Sequence, residues 1–65
     1  MIRVNGQMLE GYENSKLADL LNALQFDCTK IAVERNGEII PKKKYQETVL
    51  TENDVIEVVS FVGGG

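Results

Sequence analysis

Two Asn-Gly dipeptides, Asn5-Gly6 and Asn36-Gly37, each stand between short β-prone runs, and they constrain the fold more than any other feature of the chain. A two-residue type I′ turn needs a positive φ at both central positions, which Asn tolerates and Gly adopts freely, and its twist matches that of the strands it joins. Two hairpins are therefore predicted. In the first, Ile2 and Val4 alternate with Arg3 and Asn5, and with Asn5 and Gly6 as loop residues Val4 faces Gln7 and Ile2 faces Leu9. Ile2, Val4 and Leu9 then share one face, and Met8 joins Arg3 on the other. In the second, Ile31-Ala32-Val33-Glu34-Arg35 leads into the turn and returns as Glu38-Ile39-Ile40, which Pro41 ends because it has no N–H for a ladder.

Between the hairpins the period changes. Leu17, Leu20, Leu21 and Leu24 fall at i, i+3, i+4 and i+7, one stripe of an α-helix over about residues 16 to 25. Asn14 or Ser15 is placed to accept from the first free backbone amides, and Asp19 favours the positive end of the helix dipole. Such a stripe belongs to the core. After Pro41, Lys42 to Glu47 reads as a solvated turn or a single helical turn, with Tyr45 folded back on the core. Thr48-Val49-Leu50 is short enough for a brief strand, and Thr51-Glu52-Asn53-Asp54 has the residues of a turn. The run from Val55 to Val62 is the longest and most β-prone in the chain, and apolar residues on both its faces place it in the middle of a sheet.

Hairpin, helix, hairpin and central strand have one economical arrangement. The helix is the crossover that lets the last strand lie parallel to the first, and it covers one face of a mixed sheet of four to five strands. This is an α+β domain of the β-grasp, or ubiquitin-like, kind. It occupies residues 1–62 and leaves 63–65 as a flexible tail.

Composition narrows the function. A chain of 65 residues with no histidine lacks the side chain best suited to proton transfer near neutral pH, so self-contained acid-base catalysis is disfavoured. One cysteine, Cys28, can neither close an internal disulfide nor, with no histidine, assemble a structural zinc site. A net charge of -3 argues against nucleic-acid binding and for a monomer when free. No run reaches the length of a membrane span and the N-terminus lacks the order of a signal peptide, which with an unpaired thiol points to the cytoplasm. Cys28 itself, in Phe26-Asp27-Cys28-Thr29, reads as a buried or half-buried filler rather than a sulfur-bearing thiol.

Half of the six glycines are the last three residues, Gly63-Gly64-Gly65. They contribute no packing and lose the most backbone entropy on ordering, so they suit a mobile tail that threads a narrow channel and sets its terminal carboxylate against a nucleotide phosphate. A disordered end or an expression scar has the same composition. What separates them is position, because this tail follows the central strand without a linker. A carboxylate is a poor electrophile until it becomes a mixed anhydride, for example with AMP. The chain has no phosphate loop and is too small to enclose ATP, so activation falls to another enzyme. The activated carbonyl can then accept sulfur, giving a thiocarboxylate, or an amine, giving an isopeptide. Along the last strand Val55, Glu57, Val59 and Phe61 alternate with Ile56, Val58, Ser60 and Val62. If the face carrying Glu57 is the one the helix leaves open, Val59 and Phe61 form an apolar approach to the tail; if loops cover it, they are core.

Taken in order, these residues resemble the ThiS family of sulfur carriers of thiamin biosynthesis, over the whole chain. The resemblance is carried by Val4-Asn5-Gly6, the leucine helix, Ala32-Val33-Glu34-Arg35-Asn36-Gly37-Glu38-Ile39-Ile40-Pro41, Asp54-Val55-Ile56-Glu57 and Phe61-Val62-Gly63-Gly64-Gly65. It implies that a ThiF-like enzyme uses ATP to adenylate the carboxylate of Gly65. Sulfur originating from a cysteine desulfurase then makes the thiocarboxylate, and thiazole synthase (ThiG) takes that sulfur. It further implies that Gly64 and Gly63 lie in the partner's channel, that Val59, Phe61 and Val62 dock, and that the chain binds no cofactor and is a co-substrate rather than an enzyme. A MoaD-like subunit of molybdopterin synthase, a ubiquitin-like modifier and a noncatalytic binding module are the alternatives.

Overall fold

A computed structural model describes residues 1–61. Both Asn-Gly turns form as their chemistry requires, with φ of 49° and 81° at Asn5 and Gly6 and 52° and 87° at Asn36 and Gly37. The first joins β1 (Ile2–Val4) to β2 (Gln7–Leu9), with Ile2 opposite Leu9 and Val4 opposite Gln7. The second joins β3 (Ile31–Arg35) to β4 (Glu38–Ile40). The last strand, β5 (Val55–Ser60), lies between the hairpins, parallel to β1 and antiparallel to β3, in a five-stranded sheet of order β2-β1-β5-β3-β4. Val62 and the expected tail Gly63-Gly64-Gly65 lie outside the described residues.

Helix α1 (Leu17–Ala23) turns its leucines onto one face of this sheet. Leu17, Leu20 and Leu21 are fully buried with Ile2, Val33, Leu50 and Ile56, and Leu24 packs at the edge of the same core. Tyr45 closes it from the segment after Pro41, where Lys42–Lys44 form a 3₁₀ turn whose lysines stay exposed. Burial raises the Tyr45 phenol above its ordinary range, the Cys28 thiol adding to the effect.

Two local expectations are corrected. Neither Asn14 nor Ser15 caps the helix. The N-cap is Lys16, which makes no side-chain capping bond, and the first free amides go to backbone carbonyls instead: Leu17 N–H to Thr48 C=O at 2.8 Å and Ala18 N–H to Tyr45 C=O at 3.0 Å. Asn14, at φ 70°, is used by the preceding turn. Thr48-Val49-Leu50 is not a strand but a single antiparallel bridge between Val49 and Lys16, held by Leu17 N–H to Thr48 C=O and Leu50 N–H to Ser15 C=O, each at 2.8 Å, and it extends no further because its partner turns into the helix at Leu17.

Candidate functional site

The end of β5 is the place the sequence singles out, and three sets of contacts position it. At its start, Asp54 is almost fully buried and accepts from Thr51 N–H at 2.9 Å, Thr51 Oγ1 at 3.1 Å, Asn36 Nδ2 at 3.0 Å and Arg35 Nε at 3.0 Å. Burial alone would raise this carboxyl. The bonds from Thr51, Asn36 and Arg35, with the guanidinium charge, outweigh it and hold Asp54 below the usual carboxylate range. Arg35 also donates to Val49 C=O at 3.0 Å, so one guanidinium ties the second hairpin both to Asp54 and to the segment that bridges to Lys16.

The asparagines of both Asn-Gly turns also bond to β5. Asn36 accepts from Val55 N–H at 2.9 Å through Oδ1, while its own N–H donates to Val55 C=O at 2.8 Å. Asn5 accepts from Val58 N–H at 2.7 Å and donates through Nδ2 to Val58 C=O at 3.2 Å. The dipeptides announce turns in the sequence, but nothing there signals these second roles. The cue that was available is that Asn, unlike Gly, brings a donor and an acceptor to a turn position.

The helix leaves the Glu57 face open, as expected of the first alternative. Ile56 and Val58 point into the core, whereas Val59 is 59% and Phe61 56% exposed. Val59 stands opposite Ala32, Glu57 stands opposite Glu34, and Glu34 is followed across the sheet by exposed Ile39. Like charges facing across a ladder cost stability, so Glu34 and Glu57 make an acidic spot beside the apolar one. Of the expected site residues, the structure brings Val59 and Phe61 to one open surface, and Val62, Gly63, Gly64 and Gly65 lie beyond the described residues. Cys28 is half-buried against the core in a 3₁₀ turn (Cys28–Lys30) capped by Asp27, which accepts from Thr29 N–H at 2.9 Å and Thr29 Oγ1 at 2.6 Å. Those bonds lower the Asp27 carboxyl, and this packing fits the filler role for the thiol.

Parallel first and last strands, an α-helix packed on one face of the sheet and an open opposite face define the β-grasp class. Within it, a model of the ThiS family matches residues 2–65, and the chain belongs to that family. It is 42% identical over 66 residues to the sulfur carrier protein ThiS of Bacillus subtilis, an alignment that covers all of both chains. It is also 39% identical over 62 residues to the thiazole synthase of Paramagnetospirillum magneticum, spanning 95% of this chain and 19% of that one. The crystal structure of the thiamine biosynthesis protein ThiS of Geobacter metallireducens superimposes with a TM-score of 0.79 at 31% identity, over 98% of this chain and 97% of that one. No helix among the described residues is long and apolar enough to cross a membrane.

Proposed function

We propose that the chain is the sulfur carrier for the thiazole part of thiamin, with the carboxylate of Gly65 as the group that carries the sulfur. The observation that carries this reading is the match along the whole of both chains to a sulfur carrier of the same length class. The open Val59 and Phe61 surface, set on the strand that leads to the glycines, supports it.

The chemistry follows from what a carboxylate lacks. An oxygen of Gly65 attacks the α-phosphorus of ATP in a ThiF-like enzyme, pyrophosphate leaves, and the acyl adenylate has AMP as a competent leaving group. Sulfur originating from a cysteine desulfurase arrives as a persulfide that displaces AMP to give an acyl disulfide; a second thiol then attacks the outer sulfur, leaving a disulfide and releasing the thiocarboxylate, which passes to thiazole synthase. Gly63 and Gly64 let the tail enter a channel that any Cβ would obstruct. Val59, Phe61 and Val62 dock the domain at its mouth. The chain is then a co-substrate, working in the cytoplasm beside its enzymes and holding no cofactor of its own. Relatives in which a unit of this kind makes up 19–20% of a thiazole synthase favour that acceptor over a molybdopterin partner, because joining two units in one chain raises their effective concentration.

The test is ATP–pyrophosphate exchange by a ThiF-like enzyme with this chain as acceptor. Exchange should require Gly65 and fall away when Gly64 is replaced by a bulky residue. Normal exchange with a Gly64→Leu chain would contradict the channel.

A further inference from the structure

The two edges of β5 are paired unequally. Toward β3, Asn36 N–H donates to Val55 C=O at 2.8 Å and Phe61 N–H donates to Lys30 C=O at 2.7 Å. The register sets Glu57 opposite Glu34 and Val59 opposite Ala32, so residues 55, 57, 59 and 61 all turn their backbone groups to this side. Residues 56, 58 and 60 face the other way. Asn5 N–H donates to Ile56 C=O at 2.9 Å, and the Asn5 side chain takes both groups of Val58. The β1 ladder stops at Val4 and Ile56, because Asn5-Gly6 carries the chain away into β2. Ser60 presents the next N–H and C=O on this edge, and among the described residues no hydrogen bond reaches them.

We propose that this edge, opening at Ser60, is completed in the working complex by an extended strand of thiazole synthase laid beside β5 in line with β1. The inference rests on the acceptor proposed above. Ser60 lies five residues before Gly65, and five extended residues span at most about 18 Å, so a cleft that reaches the Gly65 carboxylate has its mouth beside this edge. Gly63, Gly64 and Gly65 have no side chains with which a partner can fix their register. Backbone bonds at Ser60 set that register three residues before the glycines begin. An unpaired strand edge is a template for strand addition, and Val59 and Phe61, exposed on the adjoining face, offer apolar contact to the incoming strand. Asn5 also lines a groove of about 220 Å³ with Val4, Gln7, Leu9, Leu24 and Phe26, which can seat one of that strand's side chains.

The test uses the full chain with its cognate thiazole synthase, following amide exchange residue by residue and the affinity of two variants. On binding, the Ser60 amide should become protected, while Val59 and Phe61, already paired to β3, change little. Ser60→Pro removes the donor that points off the sheet, on an unpaired edge where a strand accommodates proline, and should weaken binding about tenfold, one hydrogen bond of ordinary strength, while Ser60→Ala keeps the donor and binds within about twofold of the parent. A parent chain that binds with its Ser60 amide exchanging as in the free state overturns the strand-addition inference and leaves the acceptor reading intact. A parent chain that does not bind the synthase overturns the acceptor reading itself.

Discussion

Asn5 and Val58, 53 residues apart in sequence, are joined by two hydrogen bonds in which the Asn5 side-chain amide takes the place of a strand backbone, accepting at 2.7 Å and donating at 3.2 Å. The turn that ends β1 thereby holds the strand that leads to the C-terminus, two residues beyond the last true ladder pair. Asn5→Gly keeps the positive φ and removes only this bridge, so the variant should lose about 1–2 kcal/mol. The denaturant midpoint should fall with an unchanged slope, and exchange at the Val58 amide should accelerate. Unaltered Val58 exchange would show that the bridge adds nothing.

Asp54 gives the fold an acid limit. Its carboxyl is held below the unfolded value, so its contribution is complete above about pH 5, where the unfolded carboxyl is almost wholly ionised, and is lost as pH falls through the lower folded value. Stability measured from pH 6 downward should therefore drop steeply below about pH 4. Asp54→Asn should lower stability at neutral pH by about 2 kcal/mol, since Arg35 loses its partner, and should flatten that acid limb.

Much of this architecture was legible in the chain because it rests on local rules. Asn-Gly set both hairpins and their registers, and a leucine stripe at helical spacing named Leu17, Leu20 and Leu21 as core. The alternation along Val55 to Phe61 put Ile56 and Val58 on one face and Val59 and Phe61 on the other, but left open whether the second face was covered, which the structure shows exposed. What escaped was decided by partners distant in sequence. Asn14 and Ser15 have good capping chemistry, but Thr48 and Tyr45 bring carbonyls to the helix start from about 30 residues away, and the pairing of Thr48-Val49-Leu50 stops at one bridge because its partner turns into the helix. The bonds of Asn5 and Asn36 to β5 escaped for the same reason.

Phe61 is bound to its neighbours through the backbone, its N–H on Lys30, while its ring lies open. Phe61→Ala should therefore change stability by less than about 0.5 kcal/mol and weaken binding to thiazole synthase about tenfold. Thermal unfolding and titration calorimetry on the same sample separate the two effects. A loss of several kcal/mol in stability would make Phe61 a core residue instead.

Among the described residues the buried apolar core ends at Val58, so removing Gly64 and Gly65 should leave the unfolding midpoint where it is while abolishing adenylation. A shifted midpoint would mean that the tail packs on the domain. Retained adenylation would remove the terminal carboxylate from the chemistry.

The most direct measurement is the intact mass of the chain after incubation with a ThiF-like enzyme, ATP and a sulfur source, with fragmentation to locate the change. The account predicts one oxygen exchanged for sulfur, confined to the carboxylate of Gly65, and restoration of the original mass once thiazole synthase and its substrates are added. An unchanged mass, with the adenylating enzyme shown to be active on another carrier, would contradict it.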